Sequence, residues 1–198
     1  MKGHSMSLAI RLSALALMTF FALPAQAAEK YSFDPAHTMV NWQANHFGFS
    51  NPSGKFPLVT GVLVLDEKNP ANSKVDVTID ILKLTTGDVR FDTHLKSKDF
   101  FDVKKYTSAT FVSNKVEVTG KDKAKVSGTL ILMGQSKPIV LDVVLNKIGE
   151  NVLSKKKTAG FSATAMLRRS DFGISYALPG VSDEVTLHIE AEANLQDK

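Results

Sequence analysis

The sequence predicts an all-β fold, an extended eight-stranded antiparallel β-barrel with a short helical insertion, and three features carry that prediction. Apolar and polar residues alternate with a period of two over most of the chain. Clusters of Gly, Pro, Asn, Asp and Ser punctuate the alternating segments at short intervals. One stretch, residues 87–106 (GDVRFDTHLKSKDFFDVKKY), leaves the two-residue period for a helical spacing.

The elements follow in order. Residues 1–27 are set aside first: Lys2 and Arg11 precede the apolar run LSALALMTFFAL, and Pro24 leads into the small-residue pattern Ala25-Gln26-Ala27. That is the layout of a cleavable export signal, and the run is too short for a membrane-spanning helix, which needs about 20 residues. The mature chain, residues 28–198, is expected in the periplasm as one domain. Strands are expected at 38–47, 61–66, 74–81, 110–119, 124–133, 138–148, 160–168 and 184–193. In KVDVTIDI, Val75, Val77, Ile79 and Ile81 form one face, while Asp76, Thr78 and Asp80 form the other. Asn51-Pro52-Ser53-Gly54, Thr119-Gly120-Lys121-Asp122 and Gly134-Gln135-Ser136 read as turns. Closing eight strands into a barrel removes the exposed edges that an open sheet leaves; a two-sheet sandwich is the other arrangement such strands allow.

Pleat geometry then assigns directions. Val40, Trp42, Ala44 and His46 share one parity, and Asn41, Gln43 and Asn45 share the other. The polar set belongs in water, so Trp42, the only tryptophan, and His46 should point inward. An eight-stranded barrel is wide enough to hold one ligand.

Composition excludes several classes. The formal charge of +4 falls to +2 without Lys2 and Arg11, too little for the concentrated basic face of a nucleic-acid binder. The absence of cysteine removes disulfides, thiolate metal sites and cysteine nucleophiles. No nucleophile elbow, zinc-binding helix or phosphate-binding loop is present. Asp34, Asp99 and Asp171 suit turns and caps better than an acid–base pair. The chain is therefore read as a non-enzymatic protein without a cofactor. A second reading makes His37, His46 and His94 the ligands of a metal-assisted hydrolase or redox accessory protein, although no pair of them has metal-ligand spacing. A third is a stress-induced structural protein whose core is simply filled.

The phenylalanines that cluster beside turns favour a cavity: Phe47, Phe49 and Phe56, then Phe91, Phe100 and Phe101 with Leu95. Several short blocks point the same way in a fixed order. They are Phe33-Asp34-Pro35-Ala36-His37-Thr38, His46-Phe47-Gly48-Phe49-Ser50, Gly54-Lys55-Phe56 and Thr86-Gly87. Farther on come His94-Leu95, Asp99-Phe100-Phe101-Asp102, Ala109-Thr110-Phe111, Gly128-Thr129-Leu130 and Arg169-Ser170-Asp171-Phe172-Gly173-Ile174. Over essentially the whole mature chain they resemble the YceI-like family of exported, lipocalin-like proteins. The resemblance implies an eight-stranded barrel with a hydrophobic lumen that takes an isoprenoid lipid, such as a quinone or polyprenyl compound, or another long-chain amphiphile. It also implies transient contact with a membrane and dimers among its members. Thr38 stands where the family usually has serine, and Lys55 where it has arginine; a lysine lacks the planar fork that grips a pyrophosphate. On this basis Trp42, Phe47, Phe49, Phe56, Phe91, Leu95, Phe100 and Phe101 are assigned to the tail. His46, His94 and Arg169 are assigned to the head group, with an Arg169–Asp171 ion pair as the structural alternative for that arginine.

Overall fold

The computed structural model describes residues 28–197, and the expected export signal lies outside the described residues. Ten strand segments form one sheet in the order β1-β4-β5-β6-β7-β8-β9-β10-β2-β3, and an added β1–β10 pairing closes it. The segments are β1 (Glu29–Phe33), β2 (Met39–His46), β3 (Ser53–Phe56), β4 (Val59–Leu65), β5 (Lys74–Asp80), β6 (Ser108–Gly120), β7 (Lys123–Leu132), β8 (Gln135–Glu150), β9 (Lys157–Arg168) and β10 (Val181–Leu195). The short helix α1 (Val89–Leu95) lies in the insertion between β5 and β6. Every pairing is antiparallel.

Ten segments make eight barrel strands because two strands are each broken once. β1 and β2 both pair with β10, and β3 and β4 continue one another as the partners of β2 and β1. Proline explains both breaks: Pro35 and Pro57 carry no N–H to donate to a ladder. At the first break the buried Thr38 takes over the ladder's role. Its hydroxyl donates to the Glu192 carbonyl at 3.1 Å and accepts from the Glu192 N–H at 3.2 Å. The second break lets β3 swing away from β5, and Lys55 instead exchanges two main-chain hydrogen bonds with Thr85. The insertion occupies that gap.

All eight expected strands are present. The sequence reading omitted β1, and it placed Ser53 and Gly54 in a turn, where they open β3. The expected helix is α1, capped by Asp88, whose Oδ1 accepts from the N–H groups of Arg90 and Phe91, both at 2.9 Å. Among the described residues no helix is long and apolar enough to cross a membrane.

The interior divides into two parts. At the base, Tyr31, Leu63, Leu65, Ala159 and Ala193 pack into a compact cluster, with Tyr31, Ala159 and Ala193 at 0% exposure. None of these lines the cavity described below. Polar groups tie strand ends together there: Lys157 Nζ reaches Glu29 Oε2 at 2.5 Å and Glu67 Oε1 at 2.6 Å, while Tyr31 donates to Glu29 Oε2 at 2.9 Å. Burial, and then the bond to Glu29, push the Tyr31 hydroxyl up to about 12. The two carboxylate bonds, Glu29 first, raise Lys157. The barrel is thus plugged at its base, and the apolar cavity described below lies beyond that plug.

Candidate ligand-binding lumen

A cavity of about 400 Å³ fills the upper half of the barrel, within the range of small-molecule sites. Its wall comes from most of the strands, from α1, and from the loop between β9 and β10. Only five of the lining side chains carry a polar atom: Trp42, His46, His94, Arg169 and Tyr176. The rest are hydrocarbon.

β2 supplies one side. Val40, Trp42, Ala44 and His46 all line the cavity, as the pleat demands. The register irregularities fall in β6–β7, in β8–β9 and at the first residues of β10, so nothing reverses the parity of β2 itself. Trp42 sits deep at 9% exposure, and His46 lies at the rim.

The turn after β2 separates two phenylalanines that the sequence treated alike. Phe47 and Gly48 both have positive φ, 52° and 76°, and the chain folds back so that the Phe49 N–H donates to the His46 carbonyl at 3.0 Å. Phe47 lines the cavity rim while staying 54% exposed, and it rests on Gly180, where a β-carbon would come within 2.2 Å of its ring. Phe49 is carried to the outer tip of the turn and is 90% exposed. The assignment of Phe49 to the tunnel wall is therefore corrected: a tight left-handed turn ends the strand parity before it reaches that residue.

The insertion forms the lid. α1 turns Phe91 and Leu95 toward the lumen, and Phe100 and Phe101 follow from the loop behind it. Phe91 meets Trp42 edge to face at 6.4 Å, and Phe101 meets Phe56 at 5.5 Å. His94 stands between the rings of Phe100 and Tyr176, each at 5.1 Å, and its Nε2 lies 3.3 Å from Asp99 Oδ2. This aromatic cluster joins the helical insertion to the β9–β10 loop across the mouth.

Arg169 holds that loop. It is 5% exposed, and its guanidinium donates to three main-chain carbonyls: Ser182 at 2.8 Å, Val181 at 2.9 Å and Ile174 at 3.1 Å. The Arg169–Asp171 ion pair does not form; the ion pair at this corner is Arg168–Asp183 at 3.0 Å. Burial lowers the Arg169 pKa from its ordinary value. Arg169 also lines the lumen, and the nearby Asp183 carboxylate acts on its pKa in the opposite sense to burial.

The three histidines proposed as metal ligands do not converge. His46 and His94 line the lumen, whereas His37 lies on the β1–β2 corner and bonds through Nδ1 to Asp34 Oδ2 at 2.8 Å. That bond raises the His37 pKa and lowers that of Asp34. Among the described residues the one set close enough to share a metal is Asp34, His37 and Glu192, whose ligand atoms lie within 4.8 Å of one another. The sequence reading did not bring Glu192 to this corner, because it arrives there only through the register of β10.

Residues 31–193 match the family model of the YceI-like domain. The chain belongs to the YceI-like family. Protein YceI of Escherichia coli O157:H7 is 38% identical over 178 residues, covering 89% of this chain and 92% of that protein. A solved YceI protein from Campylobacter jejuni superposes with a TM-score of 0.69 at 36% identity, over 77% of this chain and 90% of that one. A polyisoprenoid binding domain from Saccharophagus degradans, implicated in plant cell wall breakdown, shares the fold alone. Its TM-score is 0.65 at 16% identity, over 86% of this chain and 100% of that one. In YceI-like terms, the blocks around His46, Phe56, His94 and Arg169 that carried the resemblance contribute to the lumen wall, whereas Trp42 lies between two of them.

Proposed function

We propose that this YceI-like protein is a non-enzymatic carrier or sequestering protein, acting in the periplasm, that holds the tail of an isoprenoid lipid or similar long-chain amphiphile in the lumen. The observation that carries this reading is the wall itself, hydrocarbon on nearly every side with its few polar groups mostly near the mouth. The polyisoprenoid binding described for the Saccharophagus degradans domain supports it. His46, His94 and Arg169 are the groups that meet the head. Loading from a membrane and assembly as a homodimer belong to the same reading.

The energetics are sufficient. Each buried methylene contributes about 0.8 kcal/mol, so a tail burying about fifteen carbons gains on the order of 12 kcal/mol before ordering costs. Those costs are on the order of 4–15 kcal/mol, so at their low end about 8 kcal/mol remains, which is micromolar affinity. Chain length should therefore govern binding. In a calorimetric series of amphiphiles with one head group, each methylene removed from the tail is expected to weaken binding about fourfold. Affinity that tracks the head group and ignores tail length would remove the basis for this function.

A further inference from the structure

The lumen ends partway down the barrel, and the strands show where. On β5, Ile79 lines it and Val77 does not; on β6, Ala109 does and Phe111 does not. On β7, Leu130 and Leu132 line it, whereas Gly128 and Val126 do not. The register puts Val77, Phe111 and Leu130 on one rung, so the open space stops at that rung. Below it, Val75, Val126, Leu141 and Val143 belong to the packed core.

Phe111 takes up the space at the stop. It is 4% exposed, and it is the sole aromatic residue in β5, β6, β7 and β8. A ring fits there because the neighbouring strand offers it no side chain. A β-carbon on Gly128 would stand 2.4 Å from Phe111 Cζ and 2.5 Å from Cε2. A glycine inside a strand marks such a close approach. Seated against the main chain of β7, the ring cannot withdraw toward that strand to let a tail pass. A tail entering from the mouth therefore gains burial with each carbon until the open space is used up. Carbons beyond that length stay outside the apolar wall and add nothing to binding.

We infer that Phe111 is a specificity-determining residue, the stop that sets the longest tail the lumen can bury. The inference rests on the lumen being the amphiphile site and adds a length limit to it.

The test is calorimetric titration with unbranched saturated fatty acids from decanoate to docosanoate. In the wild type, affinity should climb about fourfold per methylene and then level off at one chain length. Phe111→Ala opens an apolar space below Ala109 that a hydrocarbon chain can fill. The break should move about four carbons longer, and the longest chains should gain about 100-fold or more. Phe111→Leu is the milder change, keeps the core apolar, and should move the break about two carbons. It carries the test if Phe111→Ala does not fold. Phe172→Leu is the control, because Phe172 is 2% exposed in the same core, sits on the turn after β9 and does not line the lumen. That variant should lose stability and keep the wild-type break. Wild-type affinity that climbs to docosanoate without a break overturns the inference while leaving the carrier reading intact. So does a break that stays in place in Phe111→Leu, or that moves equally in Phe172→Leu. Failure of every one of these chains to bind the wild type overturns both.

Discussion

Ala44→Trp is expected to weaken amphiphile binding about 100-fold or more while the barrel stays folded. Ala44 is 9% exposed and stands on the lumen-facing parity of β2 between Trp42 and His46. An indole added there extends into a cavity of about 400 Å³, so the overpacking penalty of a filled core does not arise. The displaced space is worth about four methylenes of tail, about 3 kcal/mol, and hence a factor of 100 or more. Gln43→Trp is the matched control, since Gln43 is exposed on the opposite parity of the same strand. Calorimetric titration of both variants with one amphiphile reads the effect. Wild-type affinity in Ala44→Trp would show that the tail lies elsewhere.

The second large effect is on stability. Arg169→Ala removes the donor from the carbonyls of Ile174, Val181 and Ser182 at once. Each buried acceptor left unbonded costs about 1–3 kcal/mol, and release of the buried charge returns part of the sum. The expected net loss is about 3 kcal/mol, a fall in melting temperature of about 10 °C for a domain of this size. Arg169→Lys should recover little of it, because an ammonium group cannot reproduce a planar fork reaching three carbonyls. Thermal unfolding of the two variants decides. An Arg169→Ala protein as stable as wild type would mean that the β9–β10 loop is held by its aromatic contacts to α1 alone.

The parts of this architecture that depend on local pattern were legible in the sequence. Alternation in KVDVTIDI and along β10 located strands, and loss of alternation at residues 87–106 located the helix. Pleat parity placed Trp42, Ala44 and His46 on the lumen side. What escaped was set by geometry at a distance. β1 is five residues long and acquires its meaning by pairing with β4 and with the far end of β10, which closes the barrel. β3 was hidden behind a strong turn signal at Asn51-Pro52-Ser53-Gly54. Phe49 followed the compositional trend of its neighbours, but positive φ at Phe47 and Gly48 ended the strand rule two residues earlier. The partners of Arg169 are carbonyl oxygens, which no side-chain pattern reveals. Glu29, Glu67 and Lys157 meet at the base from three separated segments, and only the folded register brings them together.

The lumen account rests on an oily chain occupying the space beside Trp42, and the chain's single tryptophan makes that directly measurable. Titration with an amphiphile brominated along its tail should quench Trp42 fluorescence strongly and saturably, with the same midpoint that calorimetry gives for the unbrominated compound. Saturable binding in the calorimeter without quenching of Trp42 would place the tail outside the barrel and contradict the account.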